Sequence, residues 1–219
     1  MVTRSHQVGY RLINSKFPPV SLFDDVADEE DFEFAFELQS LTNPRLLTEL
    51  GDLSILPLSQ IPFGIEGVNY ATAPFTHVTE DGSRFSDGSF GVLYMAETVN
   101  AGISETRYHT ENYFRNVQDL KYDTIDMRCL KVTFSAELID GKSESAIHDP
   151  NDYSYSRGFG KKAYKDKRAG IEYNSVREDA AVCWALFSPQ YVEEVVQTRH
   201  FEYKFDGEAI VTVRELVLE

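Results

Sequence analysis

The stretch "SRFSDGSFGVLYMAETVNAGISET", residues 83–106, passes from a glycine-flanked turn into a short apolar run and then into the opening of a helical pattern. The run "GVLYMAE" (91–97) is bounded by turn residues and has the length of a buried strand. Beyond it, "NAGISETRYHTENYFRN" (100–116) keeps helical periodicity, with Asn100 as the expected cap. A turn, a strand and a helix thus carry Arg84, Ser86, Tyr94, Glu97 and Glu105 in that order. A turn feeding a strand is also plain sheet architecture, so the order gains meaning only from the rest of the chain.

Downstream, "LKVTFSAEL" (130–138) alternates strictly and predicts a half-buried strand ended by "IDGK". "GIEYNS" (170–175) and "AVCWALF" (181–187) read as further strands, and "RHFEYKF" joins "AIVTVRELVL" through the hairpin signal "DGE". Upstream, "VGYRLI" (8–13) reads as a first strand carrying Tyr10 and Arg11, stopped by the prolines of "NSKFPP". Helices with mostly antiparallel strands, and no regular βαβ alternation, indicate a single α+β domain over 1–219. Residues 17–82 form an N-terminal elaboration. Within it, 24–38 predicts an acidic helix, either a face for a basic partner or a solvated surface, and 43–51 a short helix with Pro44 at its first position. The Pro/Gly-punctuated remainder reads as a long loop.

With 219 residues, 42% hydrophobic, the chain can bury one core. A formal charge of −15 repels nucleic acid and anionic membranes and favours basic protein surfaces, so neither nucleic acid nor membrane is an expected partner. "MVTRSHQVGYRL" has no apolar leader core, which makes a soluble cytoplasmic protein the expectation. Cys129 and Cys183 sit in apolar contexts suited to buried thiols. The segment 148–168 is an exception in this acidic chain, with Arg157, Lys161, Lys162, Lys165, Lys167 and Arg168 close together. It reads either as an attractor for an anionic substrate or as a charged helix face or lid.

The usual catalytic sets are missing from the sequence. His6, His77, His109, His148 and His200 are scattered, no HExxH occurs, and no metal is expected. No GxSxG elbow is present, and "GFGKK" lacks the spacing of a phosphate loop. What remains is the arginine, tyrosine and carboxylate of 83–106 together with "EYNSVRE" (172–178).

These residues resemble the RES domain, named for Arg, Glu and Ser, the toxin half of bacterial toxin–antitoxin pairs. "GSRF" supplies Arg84, "GVLY" Tyr94, "AET" Glu97, "GISET" Glu105, "YNSVR" Ser175 and "GYRL" Arg11, with the best match over 84–187. Phe85, Ser86 and Asn174 stand where the family usually has Trp, Asn and Pro. The resemblance implies a fold related to ADP-ribosyltransferases. It implies cleavage of the nicotinamide–ribose bond of NAD by hydrolysis or phosphorolysis, with NAD as substrate, phosphate as co-substrate in the second case, and no cofactor. It also implies an Xre-type antitoxin as partner; a homodimer is left open. ADP-ribosylation of a protein target and a non-catalytic binding module are the alternatives.

The residue types suit that bond. Nicotinamide departs as a neutral ring from a cationic one, so the leaving group needs no general acid, in contrast to an ordinary glycosidase with its two carboxyl groups. One carboxylate, Glu105, can face the developing positive charge or orient the incoming nucleophile. Arg84, and Arg11 with it, can fork to phosphate oxygens, unless Arg84 is merely a solvated turn residue. Tyr94 and Ser175 can hold nicotinamide or ribose, or fill the core; Ser86 and Glu97 are supporting candidates, and His109 either lines the cavity or faces solvent.

Overall fold

The computed structural model of the chain describes residues 1–15, 28 and 52–217. The helices expected at 24–38 and 43–51 lie outside the described residues. Among the described residues seven strands form one mixed sheet: β1 (Val2–Asn14), β2 (Leu93–Ala96), β3 (Asp123–Asp140), β4 (Gly170–Asn174), β5 (Val182–Leu186), β6 (Val192–Phe205) and β7 (Ile210–Leu216). Their order is β1-β2-β5-β4-β3-β6-β7, and β1 also pairs with β3, so five strands close a ring from which β6 and β7 extend. Helices α1 (Val68–Thr76), α2 (Val99–Arg115) and α3 (Ser154–Lys165) flank the sheet, giving the α+β class. Among the described residues only β3 and β4 pair in parallel, Ile139 opposite Ile171, and the crossover between them carries α3.

The alternation in 130–138 is one half of a longer pattern. Along β3, Ile125, Met127 and Cys129 are buried on one face, then Leu130, Val132, Phe134, Ala136 and Leu138 on the other. Successive strand side chains point to opposite faces, so burial passes from one core to the other at Cys129 and Leu130, where the pairing with β6 also shifts register. The even-numbered set packs with Leu93, Met95, Trp184 and Leu186 under Val68, Ala71 and Phe75 of α1. The odd-numbered set packs with Leu12, Phe201, Tyr203 and Phe114 of α2. A third cluster, built on Phe85, Phe90, Ile171, Tyr173, Cys183 and Ala185, lies beneath α3.

Three sequence expectations are corrected. The cap of α2 is Thr98, whose Oγ1 accepts the Ala101 N–H at 3.1 Å, and Asn100 lies inside the helix. The stretch 52–82 is not a simple loop, because it contains α1; Pro74 inside that helix mimics a breaker signal. The first strand and β6 both begin well before "VGYRLI" and "RHFEYKF".

Candidate active site

A cleft of about 530 Å³ opens between β1, β2, α2 and the turn at 82–84. Its walls carry Arg11, Arg84, Tyr94, Glu105 and His109, all named from sequence, and also Tyr153, Arg157 and Tyr173. Glu105 is the one carboxylate among its lining residues. Its position depends on how α2 meets the sheet. Gly102 lets α2 pack close to β1: a Cβ there would stand 2.8 Å from Leu12 Cδ1, so a side chain at this position would force Leu12 to move.

Ser175 approaches Glu105 from the loop after β4, its hydroxyl 2.7 Å from Oε1. Ser175 Oγ also accepts the N–H groups of Arg177 and Glu178, each at 3.1 Å. With both acceptor positions used, the serine proton is directed at the carboxylate. His109 sits one helical turn beyond Glu105 at the exposed rim. Desolvation lowers its pKa; Glu105 opposes that shift, and Arg177 and Arg84 reinforce it.

Arg84 is buried, which removes the solvated-turn reading. One Nη donates to the carbonyls of Ile147 at 3.0 Å and Asp149 at 2.9 Å, and the guanidinium lies 4.3 Å from the Tyr153 ring centroid. These bonds use a single nitrogen, so Nε and the second Nη remain available at the cleft wall. Arg11 fills the gap where β1 and β2 diverge after the Tyr10–Ala96 bridge, donating to the Tyr94 carbonyl at 3.3 Å. Burial lowers its pKa to about 10, which leaves it a cation at neutral pH.

Tyr94 presents its ring to the cleft, but its hydroxyl is committed to the turn that bears Arg84. It accepts the Phe85 N–H at 2.9 Å and lies 2.8 Å from Ser83 Oγ. Desolvation raises its pKa to about 12 despite these bonds, so it stays a phenol.

Two expected residues are not brought to the cleft. Ser86 is buried inside its own turn, donating to the Phe90 carbonyl at 2.6 Å and accepting the Gly88 N–H at 3.1 Å. Glu97 is exposed at the β2–α2 junction, with a long contact of 3.4 Å from the Val182 N–H. Two cations of the basic segment dock α3: Arg157 donates to the carbonyls of Ser83 at 3.0 Å and Asp81 at 2.8 Å, and Lys161 pairs with Asp87. Lys162 pairs within the segment, 2.5 Å from Asp166, and Lys165, Lys167 and Arg168 are exposed. Arg157 lines the cleft from this docked position. Tyr153 carried no sequence signal, since a lone tyrosine before a helix does not announce an arginine above it.

Burial first, then Glu105, pushes the Cys183 thiol up to about 12, so it stays protonated. Among the described residues no group of three or more His, Cys, Asp or Glu side chains is placed to hold a metal ion, and no helix is long and apolar enough to cross a membrane.

A family model described as "RES domain" matches residues 61–206, most of the chain and more than the 84–187 read from motifs. The chain belongs to the RES domain family. It is 28% identical over 202 residues to "Uncharacterized protein y4oC" of Sinorhizobium fredii (strain NBRC 101917 / NGR234), covering 92% of this chain and 84% of that one. A chain of the crystal structure of the M. tuberculosis MbcT-MbcA toxin-antitoxin complex aligns at 12% identity with a TM-score of 0.38, covering 54% of this chain and 73% of that one. In this RES domain the arginine and glutamate carried over by motif line a common cleft, and the serine reaches it through the glutamate.

Proposed function

We propose that this RES domain cleaves the nicotinamide–ribose bond of NAD and passes the ADP-ribosyl group to water or phosphate. The observation that carries the reading is one cleft carboxylate, Glu105, oriented by Ser175 and sharing the cleft with the cations of Arg11 and Arg84. The C–N bond breaks with its electron pair moving to the ring nitrogen, so nicotinamide leaves neutral. Positive charge develops on the ribose, where Glu105 can stabilise it. The incoming oxygen bonds to the anomeric carbon, and in hydrolysis the water proton passes to Glu105 or to solvent. Arg84 and Arg11 suit the pyrophosphate, offsetting the repulsion of an acidic chain, and the rings of Tyr94, Tyr153 and Tyr173 suit a planar nicotinamide. On this reading the protein acts as a toxin on cytoplasmic NAD, held in check by an Xre-type antitoxin that covers the cleft.

The test is to incubate purified protein with NAD, with and without phosphate, and to identify products by mass. Nicotinamide with ADP-ribose is expected for hydrolysis, and nicotinamide with a phosphorylated ADP-ribose for phosphorolysis. A mass gain on a target protein would move the reading to ADP-ribosyl transfer, and intact NAD would overturn it.

A further inference from the structure

The loop after β4 holds more than the serine. Ser104, next to Glu105 on α2, donates to Glu178 at 2.7 Å, while Ser175 donates to Glu105 at the same distance. Two serine–carboxylate bonds therefore cross between helix and loop, each supplying a donor to the other. Arg177, between them, lies 3.3 Å over the Tyr108 ring of α2 and also bonds the Pro150 carbonyl. Tyr108 in turn donates to Asn151 at 3.2 Å. The segment around 147–151 is the one whose carbonyls hold Arg84. The loop closes through Ala180 at φ 59°, a left-handed conformation costly for alanine, with Ser175 N–H on the Ala181 carbonyl at 2.8 Å. That cost is tolerated where neighbouring contacts over-determine the backbone.

We propose that Arg177 and Glu178 are positioning residues, forming a strut that fixes the Glu105 wall of the cleft relative to the Arg84 wall. The proposal rests on the NAD-cleaving reading for its kinetic consequence. Glu178 acts through Ser104 and, by its own N–H, through Ser175. Arg177 acts through Tyr108 on one side and Pro150 on the other.

The experiment compares wild type, Ser104→Ala, Glu178→Ala, Glu178→Gln and the Ser104→Ala/Glu178→Ala double variant. Because misplacing a reacting group by about 1 Å can cost on the order of 10²-fold, kcat should fall between about 10-fold and 100-fold in both alanine variants, with KM within about twofold of wild type. Glu178→Gln keeps an acceptor for Ser104 and should recover most of kcat. The double variant should lose no more than either single one, since both remove the same bond. Additive losses, an inert Glu178→Ala, or a fall in KM and kcat no different from a surface control would overturn the strut. Wild-type turnover alone decides the reaction class. Hydrogen exchange at the Arg177 and Glu178 amides reads the strut without turnover: faster exchange in Ser104→Ala is expected, and unchanged exchange counts against it.

Discussion

The hydroxyl of Ser175 and Oε1 of Glu105 stand 2.7 Å apart, although 70 residues separate them in the chain. The serine belongs to the loop leaving β4 and the glutamate to the second turn of α2, so the pair exists only because sheet order brings β4 beside β5 and β5 beside β2. A hydrogen bond to a charged group contributes roughly 1.5–3 kcal/mol. Ser175→Ala should therefore slow nicotinamide release about 10- to 100-fold. Glu105→Gln, which removes the charge with little change of volume, should slow it on the order of 10²–10³-fold. Initial rates with saturating NAD measure both, and wild-type turnover by Glu105→Gln would remove it from the mechanism.

Arg84→Ala should raise KM for NAD markedly. It should also lower stability, because the buried carbonyl of Ile147 loses a charged donor, while the exposed Asp149 can turn to water. A buried acceptor left unpaired costs about 1–3 kcal/mol. Steady-state kinetics and urea unfolding on the same preparation separate the two effects. An unchanged KM would mean that the free Nε and Nη face no ligand.

Tyr94→Phe tests whether the hydroxyl serves the turn. The variant keeps the ring but strips Phe85 N–H and Ser83 of their partner, and Phe85 is wholly buried. A loss of about 1–3 kcal/mol in unfolding free energy is expected, together with weaker NAD binding as the turn carrying Arg84 loosens. Full stability with a kcat defect would instead point to the hydroxyl acting directly on substrate.

Much of this arrangement is legible in the sequence, and the rest is not, for identifiable physical reasons. Alternation over 130–138 and the "DGE" hairpin are local, period-two signals, and both correspond to strands here. The β3–β4 parallel pairing is long-range, and nothing in either strand specifies its partner. Arg84 and Glu105 are nominated by the absence of other catalytic sets together with the resemblance to the RES domain, but the burial of Arg84 is invisible in the sequence because its partners are backbone carbonyls, which every sequence contains. Ser86 was misleading for a similar reason: a serine in a turn can bond its own backbone as readily as a ligand. In the sequence Arg157 is one cation of a charge cluster, since periodicity cannot show that its guanidinium reaches the Asp81 and Ser83 carbonyls.

The opposite face of the sheet holds a fully buried carboxylate with a different role. Glu172 of β4 is fully buried and receives hydrogen bonds from Arg4 Nε at 2.6 Å and Nη2 at 2.8 Å, from Trp184 Nε1 at 2.8 Å, and from Lys142. Burial alone would raise its pKa, but these donors outweigh it and hold the group at about 2, below its ordinary 4.5. A folded-state pKa below the unfolded one means that the ion pair stabilises the fold above pH 4.5 and loses that contribution as pH falls toward about 2. Glu172→Gln takes the buried counter-charge from Arg4 and leaves Lys142 with Asp140 alone, at 3.9 Å. The expected loss is near the low end of roughly 3–5 kcal/mol, because Arg4 and Lys142 still reach solvent. Urea unfolding of both proteins at pH 7 and at pH 3 checks the sign: the gap between wild type and Glu172→Gln should be widest at pH 7 and shrink at pH 3. A gap that grows on acidification would mean that Glu172 is protonated in the native fold and bonds its neighbours as a neutral acid.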